Sequence, residues 1–408
     1  MRVCLLSFGE PLPIDGPNIR LRRMGIIAHY AAISGWEVLW IAPAFNHITK
    51  QMRDYRRSPY MLDDKFTLHL FKSKKYRKNL SLNRFLSLFS DDSSFLKILK
   101  RERDNIDVLF FPLEYAPYLK RTLSFCKKSG IKIVMDLRDM WDMVFDTIPK
   151  NLYPLARLYG RFCERSLAKY VPFADGTISL SEPMQGWLLK YLGRGVNPSK
   201  DRIVPLCFPK NQVMKTAEDI STCSGISDHD FLIIYAGGLG KFVCVDEIIE
   251  LSEKFSTEGG NIKFVVCGTG EKYHFLKEHE SKSLMVLGQV GTDRLYSLYS
   301  IASLSIMPYS TRAFAYHAPN KYAEYLAYGL PILIRPRGFM MEETQHYECG
   351  VGYENGEELE SIIRSFYTSR ERLLEYSRNA KSLFSLKYQS EKEYLKLIEF
   401  IEGIATSS

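Results

Sequence analysis

Lys321 and Glu324 are a cation and a carboxylate placed about one helical turn apart in the stretch HAPNKYAEYLAYGLPILI, residues 317–334. Pro319 and Asn320 can begin a helix there, with Asn320 as its cap. The free N–H groups and partial positive charge of a helix N-terminus suit a phosphate group. Glu324, one turn further along, is better placed to accept hydrogen bonds from sugar hydroxyls. The same pattern is equally typical of an amphipathic surface helix before a buried strand, so the stretch alone leaves both interpretations open.

A glycine-rich loop offers a second set of phosphate-binding groups. Gly237, Gly238 and Gly240 follow an apolar strand and precede a helix, with Lys241 beside them. Backbone N–H groups of such a loop can cradle a phosphate. Val243 stands where a dinucleotide fingerprint has its third small residue, and the next strand ends without the acidic residue that would bind ribose in an NAD site. The loop therefore argues against an oxidoreductase.

Four further residues are candidates for the same ligand. Gly268 and Gly270 end the next strand and can make room for a nucleobase, although a tight turn explains them as well. Gly16, in the loop after the first strand, permits close approach of backbone to a ligand or serves simple turn chemistry. His317 lies next to the predicted helix N-terminus. No zinc-protease motif, nucleophile elbow or P-loop is present, so we expect no metal site.

Charged residues cluster at the end of the strand IKIVMDLRD, where Asp136, Arg138, Asp139, Trp141 and Asp142 stand close together. The carboxyl end of a strand is where α/β enzymes hold ligand groups. We therefore expect Arg138 and Asp139 to act in catalysis. The alternative is that Arg138 forms ion pairs with its acidic neighbours and is structural.

A basic segment spans residues 72–103, with Leu and Phe interleaved among the cations. This composition fits adsorption to an anionic membrane surface, with Lys74, Lys75, Arg77 and Lys78 as the contacting residues. Nucleic acid would also accept the charge, but no nucleic-acid-binding motif accompanies it. A solvated helical face is the remaining interpretation.

Length and composition place these residues in a two-domain globular protein. The chain has 408 residues, enough for two cores. Residues 1–190 hold 31 Lys and Arg against 19 Asp and Glu, whereas residues 191–408 hold 24 against 28, which suggests domains with different partners. No apolar run approaches ~20 residues, and the first residues are not a secretory signal. The eight scattered cysteines are expected to be buried thiols in the cytoplasm.

Strands and helices alternate along the whole chain. It opens with a strand at 2–8, a helix from near Asn18 to Gly35 and a strand at 37–43, which is a βαβ unit. Further buried strands are predicted at 107–114, 131–139, 176–181, 202–207, 230–238, 262–268, 284–290, 304–310 and 330–334. The fold class is therefore α/β, with two parallel α/β domains in tandem.

Four segments together resemble the retaining family 4, or group 1, glycosyltransferases of the GT-B fold. APNKYAEYLAYGLPIL resembles that family's P-S-K-x-x-E-Y-L-A-x-G-x-P-V core, with Asn320 in place of the usual Ser. GQVGTDRLYSLYSIASLSIMPYS and ERSLAKYVPFADGTISLSEPM are similar to flanking family segments. MDLRDMWDM resembles the D-x-R-D-x-W motif of a branch that makes bacterial surface polysaccharides.

The resemblance implies two Rossmann-like domains facing each other across a cleft. Residues 1–208 would present the acceptor, residues 209–386 would bind a nucleotide-sugar, and a helix in 387–408 would cross back to the first domain. The donor would be UDP- or GDP-linked, and its sugar would transfer with retention and without a metal or other cofactor. The acceptor would be a glycan, possibly lipid-linked, of a bacterial surface polysaccharide, and the protein would be cytoplasmic or peripheral on the cytoplasmic face of the inner membrane.

The resemblance also assigns roles to single residues. Glu324 matches a family glutamate that holds the donor ribose, while Asn320 and Lys321 would face the diphosphate. A second family glutamate is replaced here by Tyr316. Two family cations are replaced by Gly238 and Val243, for which Lys241 and Arg138 are candidate substitutes. These departures leave two alternatives open: a non-catalytic nucleotide-sugar or glycan-binding protein, and a nucleotide-sugar epimerase of the same fold.

Overall fold

The computed structural model describes residues 1–16, 19, 21–47, 49–77, 81–102, 105–142, 153–210, 225–227, 229–259, 261–310, 312–316, 318–335 and 337–407. They form two compact units. The first consists of Met1–Val204 with Tyr394–Ser408, and the second of Pro205–Glu393.

The first unit is built on a sheet whose strands run in the order β3-β4-β2-β1-β5-β6-β7-β8 within the described residues. All neighbouring pairs are parallel except β3 with β4 at the edge. The strands are β1 (Arg2–Leu6), β2 (Glu37–Pro43), β3 (Tyr60–Asp63), β4 (Phe66–Phe71), β5 (Val108–Pro112), β6 (Lys132–Leu137), β7 (Gly176–Ser179) and β8 (Asp201–Ile203). The helices are α1 (Arg23–Ile33), α2 (Leu82–Glu102), α3 (Lys120–Ser129), α4 (Tyr153–Tyr170) and α5 (Glu182–Leu192).

The second unit is built on a parallel sheet in the order β11-β10-β9-β12-β13-β14. Its strands are β9 (Phe231–Ala236), β10 (Ile262–Cys267), β11 (Leu284–Gly288), β12 (Leu304–Pro308), β13 (Ile332–Arg335) and β14 (Gly350–Gly352). Its helices are α6 (Asp246–Thr257), α7 (Tyr273–Glu278), α8 (Thr292–Ile301), α9 (Asn320–Tyr328), α10 (Phe339–His346), α11 (Gly356–Thr368) and α12 (Arg370–Leu383). The last helix, α13 (Ser390–Thr406), begins in the second unit and continues in the first from Tyr394 onward.

Continuous apolar runs explain why the central strands form. Every residue of β5, β9 and β12 is buried, as expected for strands that are covered by helices on both faces of a parallel sheet. The prediction of two parallel α/β domains is therefore confirmed. Neighbouring strands that end at one edge bring the loops that follow them together, and this edge positions the candidate residues.

One local prediction needs correction, and three strands were missed. The first helix begins at Arg23 rather than near Asn18, which itself lies outside the described residues. The strands β3, β4 and β14 were not predicted. β3 and β14 are short edge strands, and β4 is interrupted by His69, so none shows a long apolar run.

Candidate functional site

The helix α9 begins one residue earlier than a cap at Asn320 would require. Pro319 occupies the cap position without a side-chain hydrogen bond, and Asn320 is the first helical residue, so the predicted Asn cap is wrong. A proline there fixes an extended entry into the helix but leaves the first N–H groups without a side-chain acceptor. Gly329 ends the helix in the left-handed conformation with φ of 69°, as its position predicts.

Lys321 lies against two tyrosine rings at the ends of neighbouring strands. Its Nζ lies 4.1 Å from the ring centroid of Tyr235 in β9 and 5.4 Å from that of Tyr309, which follows β12. Burial lowers the pKa of Lys321 to about 7, although the Glu324 carboxylate opposes this shift. An ammonium group held away from water attracts an anion strongly, because little solvation is lost when the anion arrives.

Glu324 is only 3% exposed, so its carboxylate is held in a fixed position. The hydroxyl of Tyr299 in α8 donates a hydrogen bond to Glu324 Oε2 at 3.0 Å. Tyr325 ties the same helix to the sheet, since its hydroxyl accepts from the backbone N–H of Ala236 at 2.9 Å. These bonds place the first turns of α9 beside the end of β9, where the glycine loop starts.

Gly237 and Gly268 allow this part of the site to assemble. A Cβ at Gly237, which has φ of 150°, would lie 2.1 Å from Lys321 Nζ, so the missing side chain makes room for the ammonium group. A Cβ at Gly268 would lie 1.8 Å from the Gly237 carbonyl oxygen. Gly268 therefore serves close packing between two loops, and the nucleobase interpretation gains no support from it.

The other residues of the loop divide into open and packed positions. A Cβ at Gly238 or Gly240 would meet no heavy atom within 4 Å, whereas one at Gly270 would lie 2.5 Å from the Leu239 carbonyl oxygen. The Lys241 side chain is exposed, and its Nζ lies 5.1 Å from the ring centroid of Phe242. Val243 is buried in the core. His317 lies outside the described residues.

Arg138 forms the internal ion pairs that the alternative interpretation predicted. Its guanidinium contacts Glu10, and it lies 3.7 Å from Glu114 and 3.8 Å from Asp136. Asp136 is also held by Arg23, whose Nε and Nη2 donate to its two oxygens at 2.7 and 2.9 Å. The positive charge of Arg138 is thus largely balanced within the first unit.

Asp139 and Asp142 are the exposed carboxylates after β6, and Asp139 lies beside Arg138 in the sequence. Burial raises the pKa of the neighbouring Glu114 to about 8, with Arg138 opposing the shift and Asp139 adding to it. Trp141 donates to the Tyr191 hydroxyl at 3.2 Å, so this residue anchors the loop to α5.

Gly16 has φ of 155° and open space where a Cβ would be.

Sequence reasoning missed the residues that surround the predicted ones. Tyr235, Tyr309 and Tyr299 come from three separate elements, and only the position of Tyr309 just after an apolar strand could have marked it. Arg23 is 113 residues from its partner Asp136, so no local pattern shows the pair.

Lys74, Lys75 and Arg77 are exposed, and Lys78 lies outside the described residues. Leu86 and Phe89 of α2 are 43% and 41% exposed. In the part of the chain that the structure describes, no helix is both long and apolar enough to cross a membrane. The same described residues contain no group of three or more His, Cys, Asp or Glu that could hold a metal ion.

Residues 217–383, which contain the glycine loop and α9, match the family described as glycosyl transferases group 1. The matched residues all lie within the second unit. The observed pair of parallel α/β units is the GT-B fold of this family, as the sequence resemblance predicted.

Three similar proteins extend this comparison. The chain is 25% identical over 218 residues to the alpha-galactosylglucosyldiacylglycerol synthase of Streptococcus pneumoniae (strain ATCC BAA-255 / R6), a match that covers 52% of this chain and about half, 54%, of that protein. Among solved structures, WaaG, a glycosyltransferase involved in lipopolysaccharide biosynthesis, is 15% identical with a TM-score of 0.68 over 100% of both chains. Anabaena Alr3699/HepE in complex with UDP is 12% identical with a TM-score of 0.66, over 98% of this chain and 100% of that one.

Proposed function

We propose that this protein is a retaining glycosyltransferase of the group 1 family. It binds a uridine or guanosine diphosphate sugar at the end of β9, with Lys321 at the diphosphate and Glu324 at the ribose. The observation that carries the proposal is the position of the Lys321 ammonium, which is held between two tyrosine rings in the space left by Gly237. A departing nucleoside diphosphate gathers negative charge, and a preorganised cation beside a helix N-terminus stabilises that charge.

The first test is a thermal-shift panel of UDP, GDP, ADP, CMP and NAD on the purified protein. A nucleotide that binds the native state raises its melting temperature by mass action. We expect one nucleoside diphosphate, UDP first because Alr3699/HepE binds it, to raise the melting temperature, and NAD to leave it unchanged. A response to none of them would contradict the donor assignment. Binding without transfer would favour a non-catalytic binder, and acceptor-independent change of the sugar would favour an epimerase.

The acceptor that we propose is a glycan or lipid-linked glycan of a bacterial surface polysaccharide. Two observations support this choice: the resemblance of MDLRDMWDM to the D-x-R-D-x-W branch, and the lipopolysaccharide and diacylglycerol glycolipid roles in the names of two similar proteins. Asp139 is the exposed carboxylate nearest to the end of β6 and is our candidate for contact with the acceptor hydroxyl, since the carboxylate of Asp142 accepts a hydrogen bond from Trp187. Arg138 acts in this proposal by positioning that loop, since its own charge is paired.

We further propose that the protein docks on an anionic membrane surface through Lys74, Lys75, Arg77 and Lys78. Replacing these four residues with Gln should abolish flotation with vesicles of phosphatidylcholine and phosphatidylglycerol, because each basic residue near such a surface contributes about 1 kcal/mol. Flotation of the wild-type protein should also weaken as salt is raised.

A matched control for the flotation experiment lies on α3. Lys120, Arg121, Lys127 and Lys128 are all exposed, and replacing these four with Gln removes the same charge from the same unit. Flotation that survives the first set of substitutions, or is lost equally with the control set, would remove the membrane proposal.

A further inference from the structure

A group of side chains, here called the basic cluster, gathers around one aromatic ring in the first unit. It consists of Arg22, His47, Lys50, Arg84 and the ring of Tyr76. Arg84 Nη1 lies 3.1 and 3.2 Å from the two ring nitrogens of His47, and His47 Nδ1 lies 2.7 Å from the Tyr76 hydroxyl. The Lys50 ammonium and the Arg84 guanidinium lie 4.9 and 5.6 Å from the Tyr76 ring centroid.

The cluster brings four basic side chains close together. Within the described residues, no carboxylate forms an ion pair with Arg22 or Arg84. Burial, together with the charges of Arg84, Lys50 and Arg22, lowers the pKa of His47 to about 4. The pKa of Lys50 is lowered too, by burial and by Arg84. Like charges held this close repel each other, and an anion placed among them relieves the repulsion.

The backbone adds to this arrangement. Lys50 has φ of 59°, a left-handed conformation that is uncommon for a residue with a side chain and that costs free energy. The N-termini of α1 and α2 add nothing to it, because the Met24 N–H already donates to the Glu10 carboxylate and the Arg84 N–H to the Ser81 hydroxyl.

The location suits a ligand of the reaction. His47 and Lys50 follow β2, and Tyr76 follows β4, so the cluster lies at the carboxyl edge of the first sheet, where ligands of α/β proteins bind. A groove of about 640 Å³ is lined by residues that are sequence neighbours of the cluster, and none of the residues that line the groove is acidic. The groove is lined by Met52, Lys72, Ser73, Lys74, Lys75, Asn83, Ser90 and Ser94.

We propose that the basic cluster binds a phosphate or diphosphate group of the acceptor. This inference rests on the proposed transferase function and specifies the acceptor class as a phosphorylated one. The planar fork of Arg84 can donate two parallel hydrogen bonds to a phosphate. Lys50 supplies a compact charge, and neutral His47 and the Tyr76 hydroxyl supply further donors. The phosphate can belong to a soluble acceptor or to a lipid headgroup, and the test separates these sources.

The experiment measures binding of inorganic pyrophosphate by isothermal titration calorimetry in the presence of saturating UDP, so that the donor site is occupied. We expect Arg84→Gln to weaken pyrophosphate binding by about tenfold, the effect of losing a charge-assisted hydrogen bond. Lys127→Gln, which removes one exposed charge from α3, should leave it unchanged. UDP affinity and melting temperature should be the same in all three proteins.

Two results would overturn the proposal: no pyrophosphate binding to the wild-type protein beyond that of sulfate, or an equal loss in Arg84→Gln and Lys127→Gln. If Arg84→Gln lowers the melting temperature, Lys50→Gln takes its place with the same expected loss. Vesicles of phosphatidylcholine and phosphatidylglycerol that displace pyrophosphate would identify a lipid headgroup as the source, and vesicles that do not displace it would identify a soluble acceptor. If UDP does not bind, that result counts against the proposed donor site alone. Pyrophosphate binding to the basic cluster is then measured without UDP in a Lys321→Met variant, in which the proposed donor site has lost its cation.

Discussion

Glu324→Gln is expected to lower the rate of sugar transfer about 100-fold while the melting temperature changes little. A hydrogen bond to a charged group contributes about 1.5–3 kcal/mol, and the upper end of this range corresponds to about 100-fold. Gln keeps the shape of Glu324 and can still accept from the Tyr299 hydroxyl, which lies 3.0 Å from Oε2. It loses the negative charge that two ribose hydroxyls would share.

An alanine at this position would give a less informative result. Because Glu324 is buried, Ala would leave the Tyr299 hydroxyl without this acceptor and destabilise the fold by about 1–3 kcal/mol. Tyr299→Phe is the better companion variant, since it keeps the carboxylate and removes only the bond that orients it. We expect a fall of about tenfold for Tyr299→Phe. Initial rates near the wild-type value in Glu324→Gln would contradict the assignment of Glu324 to the ribose.

The order of strands and helices could be predicted because it depends on local patterns. The apolar run EVLWIAP matches β2 (Glu37–Pro43) at both ends, and Gly329 marks the end of α9 as its left-handed conformation requires. Such elements follow from the burial of continuous apolar segments. The start of α1 was harder to place, because Arg23 is a buried helical residue whose charge is balanced by Asp136, and no neighbour in the sequence indicates that.

The candidate site could be predicted only in its polar residues. Lys321 and Glu324 were found because their types suit phosphate and sugar, but the environment that gives them their properties is tertiary. The pKa of Lys321 depends on burial, and the space for its ammonium depends on Gly237, more than 80 residues away in the sequence. Arg138 is the opposite case. Its residue type suggested a cation that binds a ligand, but three acidic residues that lie near it in the fold balance its charge.

UDP affinity should fall as the pH rises above about 7, by up to tenfold per pH unit, because of Lys321. Burial holds the pKa of free Lys321 at about 7, and a bound diphosphate should raise it by favouring the charged form. Below pH 7 Lys321 is protonated in both states, so it causes no pH dependence. Above pH 7 the Lys321 amine must take up a proton when UDP binds. This proton uptake becomes less favourable as the pH rises, until the pH reaches the pKa of Lys321 in the UDP-bound protein.

Calorimetry at about pH 7, 8 and 9, in two buffers that differ in ionisation enthalpy, measures this proton uptake directly. The second ionisation of a phosphate, near pH 6, is complete in this range and does not interfere. Lys321→Arg is the matched control, because a guanidinium stays protonated throughout and should bind UDP with no proton uptake. Lys321→Met should bind weakly and also without uptake, and transfer should fall on the order of 100-fold or more when this cation is lost. The same proton uptake in Lys321→Met would show that another group titrates and would separate Lys321 from the diphosphate.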